Sequence, residues 1–143
     1  FEEWNEVMNV NLRGLFYFTK KVLYLMPNGS KIVNVSSIAG RRKSLVSGVH
    51  YVSSKAGLIG LTRQLSSELG ERNININVVC PSQTLTDLLA ESMTEKEIQD
   101  LAENIPLKRV ATVQEQVDPI LFLCSNEASY LTGAVIDVNG GQI

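Results

Sequence analysis

Tyr51 and Lys55 stand four residues apart, so on a helix they project from one face, one turn from each other. A phenol beside an ammonium suits proton transfer: the phenol carries the proton and the cation favours the ionised form. With four tyrosines and seven lysines in 143 residues, chance alone supplies about 0.2 such pairs, so the spacing gains weight only from its surroundings. Ser37 follows Ile32-Val33-Asn34-Val35, at the carboxyl end of an expected strand, where open α/β sheets place their ligands. Asn11 falls on the apolar stripe of an expected helix, between Met8 and Leu15. An amide there must find partners or destabilise the fold, which points to a buried polar network.

The elements that must position these groups are legible from period and punctuation. Over residues 4–26, Trp4, Met8, Leu15, Phe18, Val22 and Leu25 recur as the stripe of an amphipathic helix, and Pro27-Asn28-Gly29-Ser30 stops it. A strand over 32–35 runs into the small-residue loop Ser36-Ser37-Ile38-Ala39-Gly40. A second helix is expected over about 51–69, with Gly70 as its left-handed cap. Ile74, Ile76 and Val78 alternate with Asn75 and Asn77 in a second strand that Pro81 ends. Two capping boxes, Thr94 with Glu97 and Thr112 with Glu115, each open a further helix. Pro119 either kinks the last of these or, with Asp118 as cap, marks its true start. A third strand spans 134–138 and closes on Asn139-Gly140-Gly141. Strands alternating with helices imply an α/β fold with a parallel sheet covered on both faces.

Bulk properties narrow the function. The net charge of −2 gives no electrostatic case for nucleic acid or an anionic membrane. The apolar runs at 12–18 and 121–124 are too short or too interrupted to cross a bilayer. Cys80 and Cys124 lie in apolar segments without Cys-x-x-Cys spacing, so packing roles and a reducing cytoplasm are expected, with no metal site. A small molecule is the expected partner.

Asn11, the Ser36-Ser37 loop, Tyr51-Val52-Ser53-Ser54-Lys55 and Pro81-Ser82-Gln83-Thr84-Leu85-Thr86, taken in order, resemble the short-chain dehydrogenase/reductase family, in particular its 3-ketoacyl-thioester reductase-like members. The likeness covers nearly the whole chain, and 106–109, 121–133 and Asn139-Gly140-Gly141 share it. It implies a cofactor, NAD or NADP, and hydride transfer between it and a secondary alcohol or ketone. It implies a catalytic set of Asn11, Ser37, Tyr51 and Lys55. Tyr51 is then the general acid or base, Ser37 donates to the substrate oxygen, Lys55 holds the nicotinamide ribose, and Asn11 holds a water in a proton relay from Lys55. A free phenol titrates near ~10, so work near neutrality requires such a cation. Cofactor contacts are implied for Tyr51, Lys55, Pro81, Ser82, Thr84 and Thr86. Ser82 departs from the family's glycine there, which either keeps an ordinary backbone or shifts the loop. A homo-oligomer, dimer or tetramer, is implied for the complete protein.

The family's glycine-rich strand-turn-helix for the cofactor pyrophosphate is not found among the ten glycines. Residues 1–143 are therefore expected to form one partial domain, the C-terminal half of a Rossmann-like doubly wound parallel sheet. About three strands with flanking helices are expected, and the N-terminal dinucleotide-binding half is expected to be absent. Two rivals stand beside the enzyme: a truncated, non-catalytic chain serving only in subunit assembly, and sugar-nucleotide epimerase or dehydratase chemistry, which shares Tyr-x-x-x-Lys. Taken one at a time, a serine after a strand, a tyrosine on a helix and a buried asparagine all have ordinary structural explanations. His50 adjoins Tyr51, but no second group is placed to orient its imidazole. Arg41-Arg42-Lys43 could meet an acidic substrate group or be a solvated basic turn. Gly57 and Gly60 cost helix propensity and suggest close approach of a neighbouring helix.

Overall fold

The computed structural model describes residues 1–44 and 46–143. The N-terminal helical rod is α1 (Glu2–Met8), a π-helical segment over Asn9–Gly14, and α2 (Leu15–Val22). A π turn inserts extra backbone and rotates the faces on either side of it. The side turned inward carries Met8, Asn11, Leu12, Leu15, Thr19, Leu23 and Met26. The expected stripe holds only in part, because Phe18 and Leu25 are 66% and 68% exposed.

Strand β1 (Lys31–Val35) feeds the 36–40 loop, and α3 (Val49–Glu68) returns the chain to β2 (Asn75–Pro81). The chain then makes a long excursion through β3 (Thr84–Leu85), α4 (Asp87–Ser92), α5 (Glu95–Glu103) and β4 (Ala111–Thr112). It comes back through α6 (Val113–Cys124) to β5 (Val135–Val138). The three long strands form a parallel sheet in the order β1-β2-β5, with Lys31 opposite Asn75 and Val78 opposite Val135. A two-residue parallel bridge joins β3 to β4.

Alternation along β2 assigns the two helical layers. Val78 and Cys80 pack against Ile59 of α3, whereas Val79 packs with Leu123 of α6 and with Val33 and Ile136. The connections β1-α3-β2 and β2-α6-β5 thus advance in one direction over opposite faces, so they have opposite handedness. One of them is the uncommon left-handed kind.

Asn75 and Asn77 are buried rather than solvent-facing. Asn75 Nδ2 donates to the carbonyls of Ser129 and Leu131, Asn77 Nδ2 donates to that of Leu131, and Asn77 Oδ1 accepts from Ala134 N. Polar residues on a strand buried on both faces serve here to fasten the approach to β5.

Both capping boxes form. Thr112 caps α6, so the helix starts at Val113 and Pro119 sits inside it, not at its beginning. Gly70 is not the left-handed cap of α3. Leu69 ends the helix, a 3-10 turn over Gly70–Arg72 follows, and Asn73 takes the left-handed conformation at φ 53°. Asparagine tolerates that region through its short polar side chain. A Cβ on Gly57 would lie 2.8 Å from Leu12 Cδ2, the close helix approach expected, whereas Gly60 meets nothing within 4 Å. Cys80 is buried and Cys124 is exposed, which removes the packing role expected of the second thiol. Among the described residues no helix is long and apolar enough to cross a membrane.

Candidate active site

The loop after β1 is pressed onto α3 at Lys55. Ser36, buried, donates its hydroxyl to the Lys55 carbonyl at 2.8 Å. A Cβ on Gly40 would lie 2.8 Å from the Lys55 carbonyl carbon, so only a residue without one permits this approach. Arg41 holds the loop from the far side, its guanidinium gripping Asp137 of β5 through Nε and Nη2 at 2.9 Å each. Ser37 is extended, with φ −165°, and its Oγ accepts from Ala39 N at 3.1 Å. The Ser37 hydroxyl hydrogen therefore stays free to donate.

On the facing turn of α3, Tyr51 is half-buried and lines a cleft of about 360 Å³ together with Ser37, Ser82 and Gln83. Lys55 lies one turn further, its Nζ 5.6 Å from the Tyr51 ring centroid. That ammonium donates to the Val35 carbonyl at 3.1 Å, which leaves two N–H bonds for other acceptors. Burial pushes the Lys55 ammonium below its ordinary value, with Cys80 opposing. Burial also pushes the Cys80 thiol up, followed by the nearby Asp137 carboxylate, so Cys80 is a protonated packing group beside the site.

Asn11 joins from the π turn: its Nδ2 donates to Ser54 Oγ at 3.1 Å, and Ser54 donates to the Tyr51 carbonyl at 2.8 Å. The expected network exists, and it runs through Ser54, a fully buried hydroxyl. Pro81 ends β2 at the same edge, and Ser82 N donates to the Val138 carbonyl at 3.1 Å. Ser82 keeps an ordinary backbone, since the non-glycine residues with positive φ among those described are Asn73 and Lys108. Thr84 donates to the Ser82 carbonyl, and Thr86 caps α4 by accepting from Leu89 N at 3.2 Å. Thr84 and Thr86 lie further along this loop and do not line the Ser37–Tyr51 cleft. His50 turns away, its Nε2 3.4 Å from Glu3.

A family model described as enoyl-(acyl carrier protein) reductase matches residues 1–142. The chain belongs to the short-chain dehydrogenase/reductase family. Among family members, it is 44% identical over 142 residues to the 3-oxoacyl-(acyl-carrier-protein) reductase of Aquifex aeolicus, covering 98% of this chain and 56% of that protein. It superposes on a 3-oxoacyl-(acyl-carrier protein) reductase of Brucella melitensis with bound NAD at a TM-score of 0.87 and 32% identity, covering 99% of this chain and 53% of that one. It superposes on the angucycline C-6 ketoreductase LanV with bound NADP at 0.89 and 32%, covering 99% and 54%. The chain thus spans a little over half the length of these family members.

Four residues have roles here that the sequence reading did not assign. Ser54 looks like any small helical residue until Asn11 is placed against it. Ser36 was seen only as part of a small-residue loop. The Arg41–Asp137 pair spans 96 positions and has no local signal.

Proposed function

We propose that the chain carries the catalytic part of an NAD(P)-dependent oxidoreductase that interconverts a secondary alcohol and a ketone. The observation that carries this reading is the Tyr51–Lys55 pair, with Nζ 5.6 Å from the centre of the phenol ring and Tyr51 lining one cleft with Ser37. The family relationship supports it. So do the structural relatives, one described with NAD and one with NADP.

The donors present fit the nicotinamide end of such a cofactor. Lys55 has two uncommitted N–H bonds suited to a pair of ribose hydroxyls, and Tyr51 stands beside it. Thr86 accepts as a helix cap, so its own hydrogen is free to donate. The backbone of Pro81, Ser82 and Thr84 lies at the carboxyl end of β2, the edge where parallel sheets bind ligands. When bound, the nicotinamide ring gives up or accepts the hydride.

In reduction, Ser37 donates a hydrogen bond to the substrate carbonyl oxygen and holds it beside Tyr51. Tyr51 Oη then gives its proton to that oxygen as negative charge develops there. The Lys55 cation stabilises the phenolate left behind. Asn11 fixes the turn of α3 that carries Tyr51 through Ser54, and its side-chain oxygen is available for a water that reprotonates the site through Lys55. Oxidation runs the same steps backward.

The substrate is a small alcohol or ketone. A homo-oligomer is supported by the aromatic surface of Phe16, Tyr17 and Phe18, exposed by 40%, 49% and 66%. Two free thiols are in keeping with a reducing compartment such as the cytoplasm. The test is oxidation of NADH or NADPH by the full-length protein in the presence of 3-oxo thioesters and simple ketones. Turnover that depends on both partners supports the reading, and none with any ketone would sink it.

A further inference from the structure

The Ser37–Tyr51 cleft does not end at those residues. A second cavity of about 490 Å³ adjoins it, and the two share Ile38, Ala39, Ser44, Val46 and Gln83 in their walls. The far wall adds Arg42, Lys43, Leu101, Asn104 and Gln142. Among the described residues its charged side chains are two cations, adjacent in sequence and lining one space.

Neither cation has a carboxylate partner among the described residues. The basic residue before them, Arg41, is committed to Asp137, and the other ion pairs are His50 with Glu3 and Arg109 with Glu115. Two like charges held without a counter-ion raise the local potential and favour an anion between them. The remaining lining supports a ligand rather than bulk water. Ile38, Ala39, Val46 and Leu101 give the cavity an apolar wall between the reacting end and the two cations, which stand at its exposed rim. The buried Oε1 atoms of Gln83 and Gln142 have no hydrogen-bond partner among the described residues.

We propose that the substrate of this site is an anionic oxo compound whose carbonyl lies at Ser37 and Tyr51 and whose carboxylate or phosphate lies at Arg42 and Lys43. This rests on the hydride-transfer reading and adds the charge class of the substrate to it. Arginine suits the anion by offering a planar pair of donors, and lysine adds a mobile point charge.

The test compares paired substrates in the full-length protein. One arm uses oxo acids of increasing chain length against their methyl esters, and the other uses oxoalkyl phosphates against the corresponding alcohols. Each pair removes the negative charge, in the first at the cost of one added methyl group and in the second with loss of the phosphoryl group, and the two arms separate carboxylate from phosphate. The expected result is a preference in kcat/KM of about tenfold or more for the charged member at the matching length, the scale of one charge-assisted contact. In R42Q/K43Q that ratio falls to about one. A wild-type enzyme that turns over acid and ester, and phosphate and alcohol, equally well overturns the proposal and leaves the hydride-transfer reading standing. A preference that persists unchanged in R42Q/K43Q also overturns it, because the charge is then read elsewhere. No turnover of any ketone defeats the hydride-transfer reading and the anionic substrate with it.

Discussion

Lys55 has two tasks in the proposed reaction, and its surroundings suit both. It is close enough to Tyr51 to favour the phenolate, while one carbonyl contact at 3.1 Å leaves it donors to spare. Lys55→Met removes the cation and the ribose contact together. In the full-length protein we expect cofactor affinity to fall about tenfold or more, as for loss of one charged hydrogen-bond donor, and the pH profile of turnover to move to the alkaline side. Calorimetric titration of cofactor and a pH series check the two effects separately; both unchanged would remove Lys55 from the mechanism. Ser82 is a gentler case, because its backbone is already ordinary. Ser82→Gly should leave kcat/KM within about threefold, because only a half-buried hydroxymethyl group is lost and the backbone needs no change. A rise of a hundredfold would mean that serine spoils the loop.

At the scale of elements, the site depends on how tightly the 36–40 loop sits on α3. Gly40→Ala places a methyl group 2.8 Å from the Lys55 carbonyl carbon. Backbone cannot yield as a flexible side chain can, so we expect a loss of about 1–3 kcal/mol in stability together with reduced turnover, since the displaced part is Lys55 itself. Denaturant melts and kinetics on the same variant test this, and full activity with unchanged stability would show the contact to be slack. Helix α6 gives a pH-dependent case. The Arg109 guanidinium, followed by the Thr112 backbone N–H, pulls the Glu115 carboxyl from 4.5 down to about 2. A folded-state value below the unfolded one adds stability above the unfolded value, and that contribution is lost as pH falls from about 4.5 toward about 2. Glu115→Gln should therefore flatten this part of the acid melt followed by circular dichroism. An identical acid limb in both proteins would contradict the assignment. The capping boxes were legible because their signal is local, a threonine and a glutamate three apart. The π turn was not, since nothing in Asn9-Val10-Asn11-Leu12-Arg13-Gly14 marks an extra residue per turn, and the stripe was followed across it as though the period were unbroken. Gly70 misled for a related reason: glycine is the commonest left-handed cap, but here a 3-10 turn postponed the reversal to Asn73.

Over the whole molecule, the three long parallel strands and their two helical layers followed from alternating periods alone. Their connection was less predictable, because opposite handedness in two successive crossovers depends on the long excursion between β2 and α6. Type and spacing made Ser37, Tyr51 and Lys55 candidates, and the ordered family resemblance singled them out, whereas Ser54 and the Arg41–Asp137 clamp come from contacts between distant segments. Among the described residues β1 pairs only with β2, leaving its other edge open, and Val35 at its end is 45% exposed. Open edges and exposed aromatics favour association. We expect residues 1–143 by themselves to aggregate and to show no saturable NADH or NADPH binding at micromolar concentration; such binding by a monomer would show this half-length unit to be self-sufficient. The central claim is that the Tyr51 hydroxyl carries the proton of a hydride-transfer reaction, and the direct measurement is steady-state ketone reduction by the full-length protein before and after Tyr51→Phe. The account predicts a loss of about a hundredfold to ten-thousandfold in kcat with folding and cofactor affinity retained, and turnover within about tenfold of the parent would contradict it.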